Sequence, residues 1–406
     1  MIKKTTFFSL FLLMLCCSSK YIHAQDSRIQ YPSFLSKAYF GINIGYINYP
    51  FSNSHLEPGY TAEEITVPHA AVRITLFGYR FNDYLTAQIT YMRPVDWVVY
   101  RNITGDIANN KHSVWMNVGG LTLTSQFPLS KKVSLFAEAG LGLITRQGFK
   151  DPNDPSKELI KSSNYASFLL GGGLKYHCND KWDLLLSTVY SPANNSEKQP
   201  YTIFHSLGFT YQIHPLSIER INEKSKSAAF FPHRLLQIGY SSNIFDYGVN
   251  NVFTNGPIPV FWAGMVYVKN GISVTYQQNI YHTKKVFSLD WGANVSIWQS
   301  NQNKETFFTM SLFPLMRFSF LRSKIADFYF NYSVAGPTFI SNATIDNWNT
   351  GKVFTFQDFM GLGFYAGLHR KFNAEFRITH YSNGNIFTHN PGITIPLTLN
   401  IGYTFL

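Results

Sequence analysis

Segments of about ten residues in which apolar and polar side chains alternate recur along most of this chain. Short polar turns separate them. Successive side chains of a strand point to opposite faces, so such a segment is apolar on one side and polar or small on the other. Val133, Leu135, Ala137, Ala139, Leu141 and Leu143 share one face, while Ser134, Glu138, Gly140 and Gly142 share the other, with Phe136 the exception. A tilted strand of this length crosses a bilayer. Lipid offers no hydrogen-bond partner to an open sheet edge, so strands of this kind must close into a barrel. Past the N-terminus, no segment has the apolar run of about twenty residues that a membrane helix requires. Aromatic residues make up 17% of the chain, with 25 Tyr and 36 Phe, and charged residues only 14%. That load suits the aromatic girdles of a barrel wall. The mean hydropathy of -0.09 argues against a helical membrane protein.

The pattern predicts strands near 37–47, 68–79, 83–94, 112–127, 131–146, 163–177, 181–191 and 201–213. It predicts a second set near 234–246, 258–280, 285–299, 304–320, 325–339, 354–369, 372–382 and 394–405. Each set is even in number and closes a small barrel without a free edge. Phe204–Tyr211 and Leu399–Leu406 both have the character of a barrel-ending strand, so the fold class is all-β, with two tandem antiparallel barrels. A single barrel of about sixteen strands is the alternative. The charged stretch 214–233 reads as a periplasmic linker. Lys269-Asn270-Gly271 resembles a hairpin turn, but 258–280 is read as one long or bulged strand, which keeps the strand number even. The domains expected are therefore a barrel over 25–213, the linker, and a barrel over 234–406.

Residues 1–24 read as a signal peptide, with Lys3 and Lys4 before the apolar run Phe7–Cys17 and a cleavage site at Ile22-His23-Ala24. A lipoprotein reading through Cys16 or Cys17 has weak support, because no small residues lead into either. Cys178 then stays alone, which excludes an intramolecular disulfide. A signal segment followed by barrel strands places the chain in the outer membrane of a Gram-negative bacterium. The formal net charge of +11 would draw the protein to anionic lipid phosphates, unless the lysines are ordinary turn residues. No nucleic-acid motif and no Cys/His cluster with metal spacing occurs, so neither a nucleic-acid partner nor a metal or other cofactor is expected. Gly171-Gly172-Gly173 is strand curvature rather than a phosphate loop, since no helix signal follows it.

The segment 373–385 carries the chemistry. By alternation Ala374, Phe376, Ile378, His380 and Ser382 share the lipid-facing side, and Glu375, Arg377, Thr379 and Tyr381 the other. His380 and Ser382 thus lie at the outer rim, about 6.5–7 Å apart at Cα. A histidine beside a serine hydroxyl is the arrangement of an activated nucleophile. Asn383 and Gly384 could donate to an oxyanion. An acyl ester anchored in the bilayer is the matching substrate. The bland reading is an interfacial histidine next to a chance serine.

His380-Tyr381-Ser382-Asn383-Gly384, followed by His389-Asn390-Pro391-Gly392-Ile393 and a closing strand, resembles the lipid A 3-O-deacylase (PagL-type) family. The resemblance covers roughly residues 234–406, and Phe356-Gln357-Asp358 with Gly361 and Gly363 is similar to the preceding family strand. It implies an eight-stranded outer-membrane barrel that hydrolyses an acyl ester of lipid A, with lipopolysaccharide as its partner. It also implies Ser382 as nucleophile, His380 as base and Asn383 as oxyanion donor. The family's acid falls at Thr394, which cannot ionise. A Ser-His dyad, a substitute carboxylate or an inactive barrel would each account for this. Asp358 is the candidate substitute: it shares the lipid side with Phe354, Phe356, Met360 and Leu362, and a hairpin about 370–371 places it near the rung of Ser382. The first half has Thr188-Val189-Tyr190-Ser191-Pro192 at the corresponding place and lacks the base.

The expected function is a serine esterase acting on lipid A. A structural or porin-like barrel without activity is the alternative, and a lipid-binding barrel that kept only the fold is a third reading. Oligomeric state is left open.

Overall fold

The computed structural model describes residues 27–104, 111–151, 154, 156–226, 229–254, 263–367, 369–387 and 389–405. The expected signal segment with Cys16 and Cys17 lies outside them. Eight strands form the first ring: β1 Ala38–Asn48, β2 Ala70–Arg80, β3 Leu85–Pro94, β4 Lys111–Pro128, β5 Val133–Gln147, β6 Ser163–His177, β7 Trp182–Ser191 and β8 Thr202–Gln212. Each pairs antiparallel with its neighbours, and β1 with β8 closes the ring. Eight more form the second: β9 Arg234–Ser242, β10 Val266–His282, β11 Phe287–Ser300, β12 Thr306–Arg322, β13 Ala326–Ile340, β14 Phe354–Ala366, β15 Phe372–Ser382 and β16 Ile393–Phe405. Here β9 and β16 close the ring. The chain therefore holds two closed eight-stranded antiparallel barrels, and the single large barrel is excluded. No helix among the described residues is long and apolar enough to cross a membrane.

Lys269-Asn270-Gly271 does not turn the chain. β10 runs through it and absorbs one residue as a bulge opposite β11, between Val268 and Asn270. A bulge lets a strand keep its pairing while re-aiming its side chains. Of the strand expected to start at 258, residues 258–262 lie outside the described set, and 263–265 carry no strand pairing. The stretch 214–233 contains the helix α1, Ile218–Ser225, capped by Ser217. Near it Gln30 donates to the Leu216 carbonyl, Lys224 Nζ to the Tyr281 hydroxyl at 2.7 Å, and Tyr31 stacks on Tyr281. Arg28 donates to the Phe231 carbonyl. The turn ends of the two barrels are thus tied.

Outward positions are apolar and open, as at Leu121, Leu141, Phe168, Leu207, Ile238, Leu312, Leu362 and Phe376. Inward positions are polar, buried and mutually bonded. In the first barrel Arg73 binds Glu138, which also accepts from Thr122 at 2.7 Å. In the second, Glu375 accepts from Tyr329 and Asn331 at 2.8 Å each and from Arg377 Nε at 2.7 Å, while Arg317 pairs with Asp290. Lipid cannot complement these groups, so they are stable only facing each other. The cavities beside these two networks measure about 30 Å³ and about 10 Å³.

Candidate active site

β14, β15 and β16 are consecutive neighbours, and their register places the expected residues. Asp358 pairs with His380, and Phe356 pairs with Ser382. Asp358 is therefore two residues from the rung expected for it and stands directly across from the histidine. On β16, Thr394 pairs with His380 and Ile393 with Tyr381, after an irregularity between Arg377 and Thr379. Alternation along β15 sends Glu375 and Arg377 inward and leaves Phe376 exposed, so His380 and Ser382 take the outer side as expected.

The outer side is not open to lipid at His380. The imidazole is only 2% exposed and Asp358 5%. His380 Nδ1 and Asp358 Oδ1 lie 2.9 Å apart. Backbone covers the pair: a Cβ on Gly392 would meet His380 Nε2 at 2.8 Å, and one on Gly264 would meet the Gly392 carbonyl carbon at 2.3 Å. Met265 and Val266 amides donate to the Pro391 and Gly392 carbonyls, which ties the segment before β10 over the start of β16. Thr394 takes part in this cover, its Oγ1 accepting from the Gly264 amide at 2.7 Å. The side chain at the position of the family's acid thus holds a loop. Gly392 sits at φ +68, a backbone conformation that glycine adopts without penalty.

Ser382 is half-buried at the end of β15. The loop that follows is an amide network. The Asn383 backbone N–H donates to Asn390 Oδ1 at 2.9 Å. Its side-chain amide donates to the carbonyls of His389 at 2.5 Å and Thr350 at 3.4 Å. Asn383, expected to serve an oxyanion, spends its donors on the loop in this conformation. Gly384 is exposed at φ +62, and Asn385 follows at φ +58. Asn390 and Thr350 were not singled out by the sequence reading, because a contact between separate loops leaves no periodic signal. Behind the site, Tyr381 points inward and is bonded to Thr309 and Gln357. Among the described residues, no group of three or more His, Cys, Asp or Glu side chains is placed to hold a metal.

Residues 270–404 match the family model of lipid A 3-O-deacylase (PagL), and residues 36–213 match that of the OmpA-like transmembrane domain. No curated protein matches the chain. Among solved structures, the outer membrane enzyme PagL is 14% identical over 42% of this chain and 99% of its own, with a TM-score of 0.32. Neisserial surface protein A is 18% identical over 44% of this chain and 97% of its own, at 0.29. The N-terminal β-barrel of Pseudomonas aeruginosa OprF is 14% identical over 43% of this chain and 96% of its own, at 0.27. The chain is a Gram-negative outer-membrane protein in which an OmpA-like barrel precedes a barrel that matches the lipid A 3-O-deacylase family.

Proposed function

We propose that the second barrel is a serine esterase that removes an ester-linked acyl chain from lipid A. The observation that carries the reading is the buried His380–Asp358 hydrogen bond, one strand step from Ser382 at the outer rim. A carboxylate on Nδ1 keeps that nitrogen protonated and leaves Nε2 as the basic one. In the proposed reaction Ser382 Oγ attacks the ester carbonyl and His380 takes its proton. The Gly384 amide, on the exposed turn, serves the oxyanion. His380 returns the proton to the leaving sugar hydroxyl, and water then releases the fatty acid from Ser382. Asp358 stands in for the acid that Thr394 lacks.

The test is a mass spectrum of host lipid A from cells with no protein, with the wild type, and with Ser382→Ala. Loss of one acyl chain in the wild type alone is the expected result. Three identical spectra would sink the proposal.

A lipid-binding barrel without hydrolysis is the second reading. Thr394 and the close cover of Gly392 on the imidazole favour it. A porin has less support, because the first barrel opens at its turn end into a cavity of about 760 Å³ but narrows beside the Arg73–Glu138 pair to about 30 Å³, and the space beside Arg317 in the second is about 10 Å³. Single-channel recordings without conductance steps are the expected outcome.

A further inference from the structure

Three polar side chains stand on the lipid-facing side of the first barrel. Asn117 on β4, Thr145 on β5 and Asn164 on β6 lie on one rung, Asn117 paired with Thr145 and Thr145 with Asn164. Below them on the same face are Leu121 and Leu123, Leu141, and Phe168 and Leu170, all exposed. Polar groups facing lipid are costly unless they are partnered. Asn117 is 2% exposed and Thr145 fully buried, while Asn164 at the edge is exposed, so something covers the first two.

The cover is the loop after Ser382. Asn117 Nδ2 donates to the Asn385 carbonyl at 2.9 Å. Thr145 Oγ1 donates to the Ile386 carbonyl at 3.0 Å, and Asn164 Nδ2 donates to that same carbonyl and to Thr145 Oγ1. The loop presents these carbonyls because Gly384 and Asn385 both take positive φ, which turns the chain outward just past Ser382. Asn390 then braces it, donating to Asn385 Oδ1 at 2.8 Å and accepting from the Asn383 amide. A continuous set of bonds runs from the wall of the first barrel to the residue next to Ser382.

We propose that the first barrel is the positioning partner of the second: the Asn117–Thr145–Asn164 rung holds the turn at 383–387, and through it Ser382 and the Gly384 amide, in the geometry that hydrolysis uses. The positioning role rests on the esterase reading above. The three are positioning residues, since they touch the loop and not the reacting atoms. They set the turnover step rather than lipid binding.

The test uses the full chain folded in detergent, with Cys16, Cys17 and Cys178 each replaced by Ser and Phe387→Cys carrying a spin label. It compares the wild-type rung with Asn117→Leu/Thr145→Val/Asn164→Leu and with Thr145→Ser alone. The expected result for the triple variant is a more mobile label and a kcat for lipid A deacylation lower by about tenfold to a hundredfold, with KM little changed. Thr145→Ser keeps the hydroxyl and is expected to stay near wild type in both readouts. A difference in gel mobility between unheated and heated samples, the same as for the wild type, checks that the variant barrels are folded. If the label is equally mobile in the folded triple variant and the wild type, the docking is wrong. If mobility rises but kcat holds, the positioning role is wrong. If Ser382→Ala shows that even the wild type does not deacylate, the esterase reading fails, and the label alone decides whether the rung holds the loop.

Discussion

At the scale of single residues, the site turns on how closely the imidazole is enclosed. Gly392→Ala would put a methyl group 2.8 Å from His380 Nε2 and a side chain on a backbone at φ +68. The ring must shift, and under the esterase reading kcat is expected to fall by about tenfold to a hundredfold. Steady-state hydrolysis of a short-chain ester in detergent would measure it, and an unchanged kcat would argue against His380 as the base. Asp358→Asn is nearly isosteric but cannot stabilise an imidazolium. A fall of about 10⁴-fold in kcat is the expectation, following the serine-protease precedent, and a wild-type rate would remove Asp358 from the reaction. The strand face taken by His380 and by Asp358 was readable from period-two alternation, which needs only that the segment be a strand. The rung was not, because register depends on hairpin length and Asp358 falls opposite His380 rather than beside Ser382. Asn383 could not be assigned from sequence either. Its donors are claimed by Asn390, His389 and Thr350, and which loops meet is decided by the closed barrel.

At the scale of elements, buried charge and loop hairpins set the stability of the second barrel. Arg317 reaches Asp290 and Gln277 from β12 and is 5% exposed. Replacing it by Met leaves Asp290 without its charge partner, a loss expected to be about 3–5 kcal/mol. A urea titration in detergent would show the midpoint falling. The loop between β13 and β14 carries Asp346, whose carboxylate accepts from Ser300 Oγ at 2.6 Å and from the Asn303 and Gln302 amides at 2.7 and 3.1 Å. Burial pushes its carboxyl up, but these hydrogen bonds outweigh it and hold the carboxyl below the ordinary carboxylate value. A depressed value in the folded state means that the stabilisation is complete above about pH 4 and is lost as pH falls through the lowered value. Wild type and Asp346→Asn should therefore differ in Tm at pH 7 and draw together as pH falls below about 4. A difference that persists at low pH would contradict this. The same loop offers the Thr350 carbonyl to Asn383, so loosening it should also disturb the loop after Ser382. The long strands were readable from alternation. The bulge in β10 was only half so, since Asn-Gly suits a turn and nothing local says that the ladder with β11 continues through it.

At the scale of the whole molecule, the two rings were available in the sequence, and the linker helix and the contact between the barrels were not. Two barrel-ending strands and two even sets of segments pointed to two closed rings, and ring closure between β1 and β8 and between β9 and β16 follows. The linker helix α1 was masked by its charge and lack of a long apolar stripe. Contact between the barrels was invisible, because Asn117, Thr145 and Asn164 are spread over three strands and none stands out alone. The barrels are joined at the turn end by Arg28, Tyr31 and Lys224, and at the opposite end by that polar rung. Such a pair drifts in the bilayer as one body, and the part of the second barrel's rim beside the rung is covered by the first barrel. A lipid molecule would then reach Ser382 only from the remaining arc of the rim, so encounter becomes a matter of heading: rotation of the body in the membrane plane, and not translation alone, would meter how often substrate arrives.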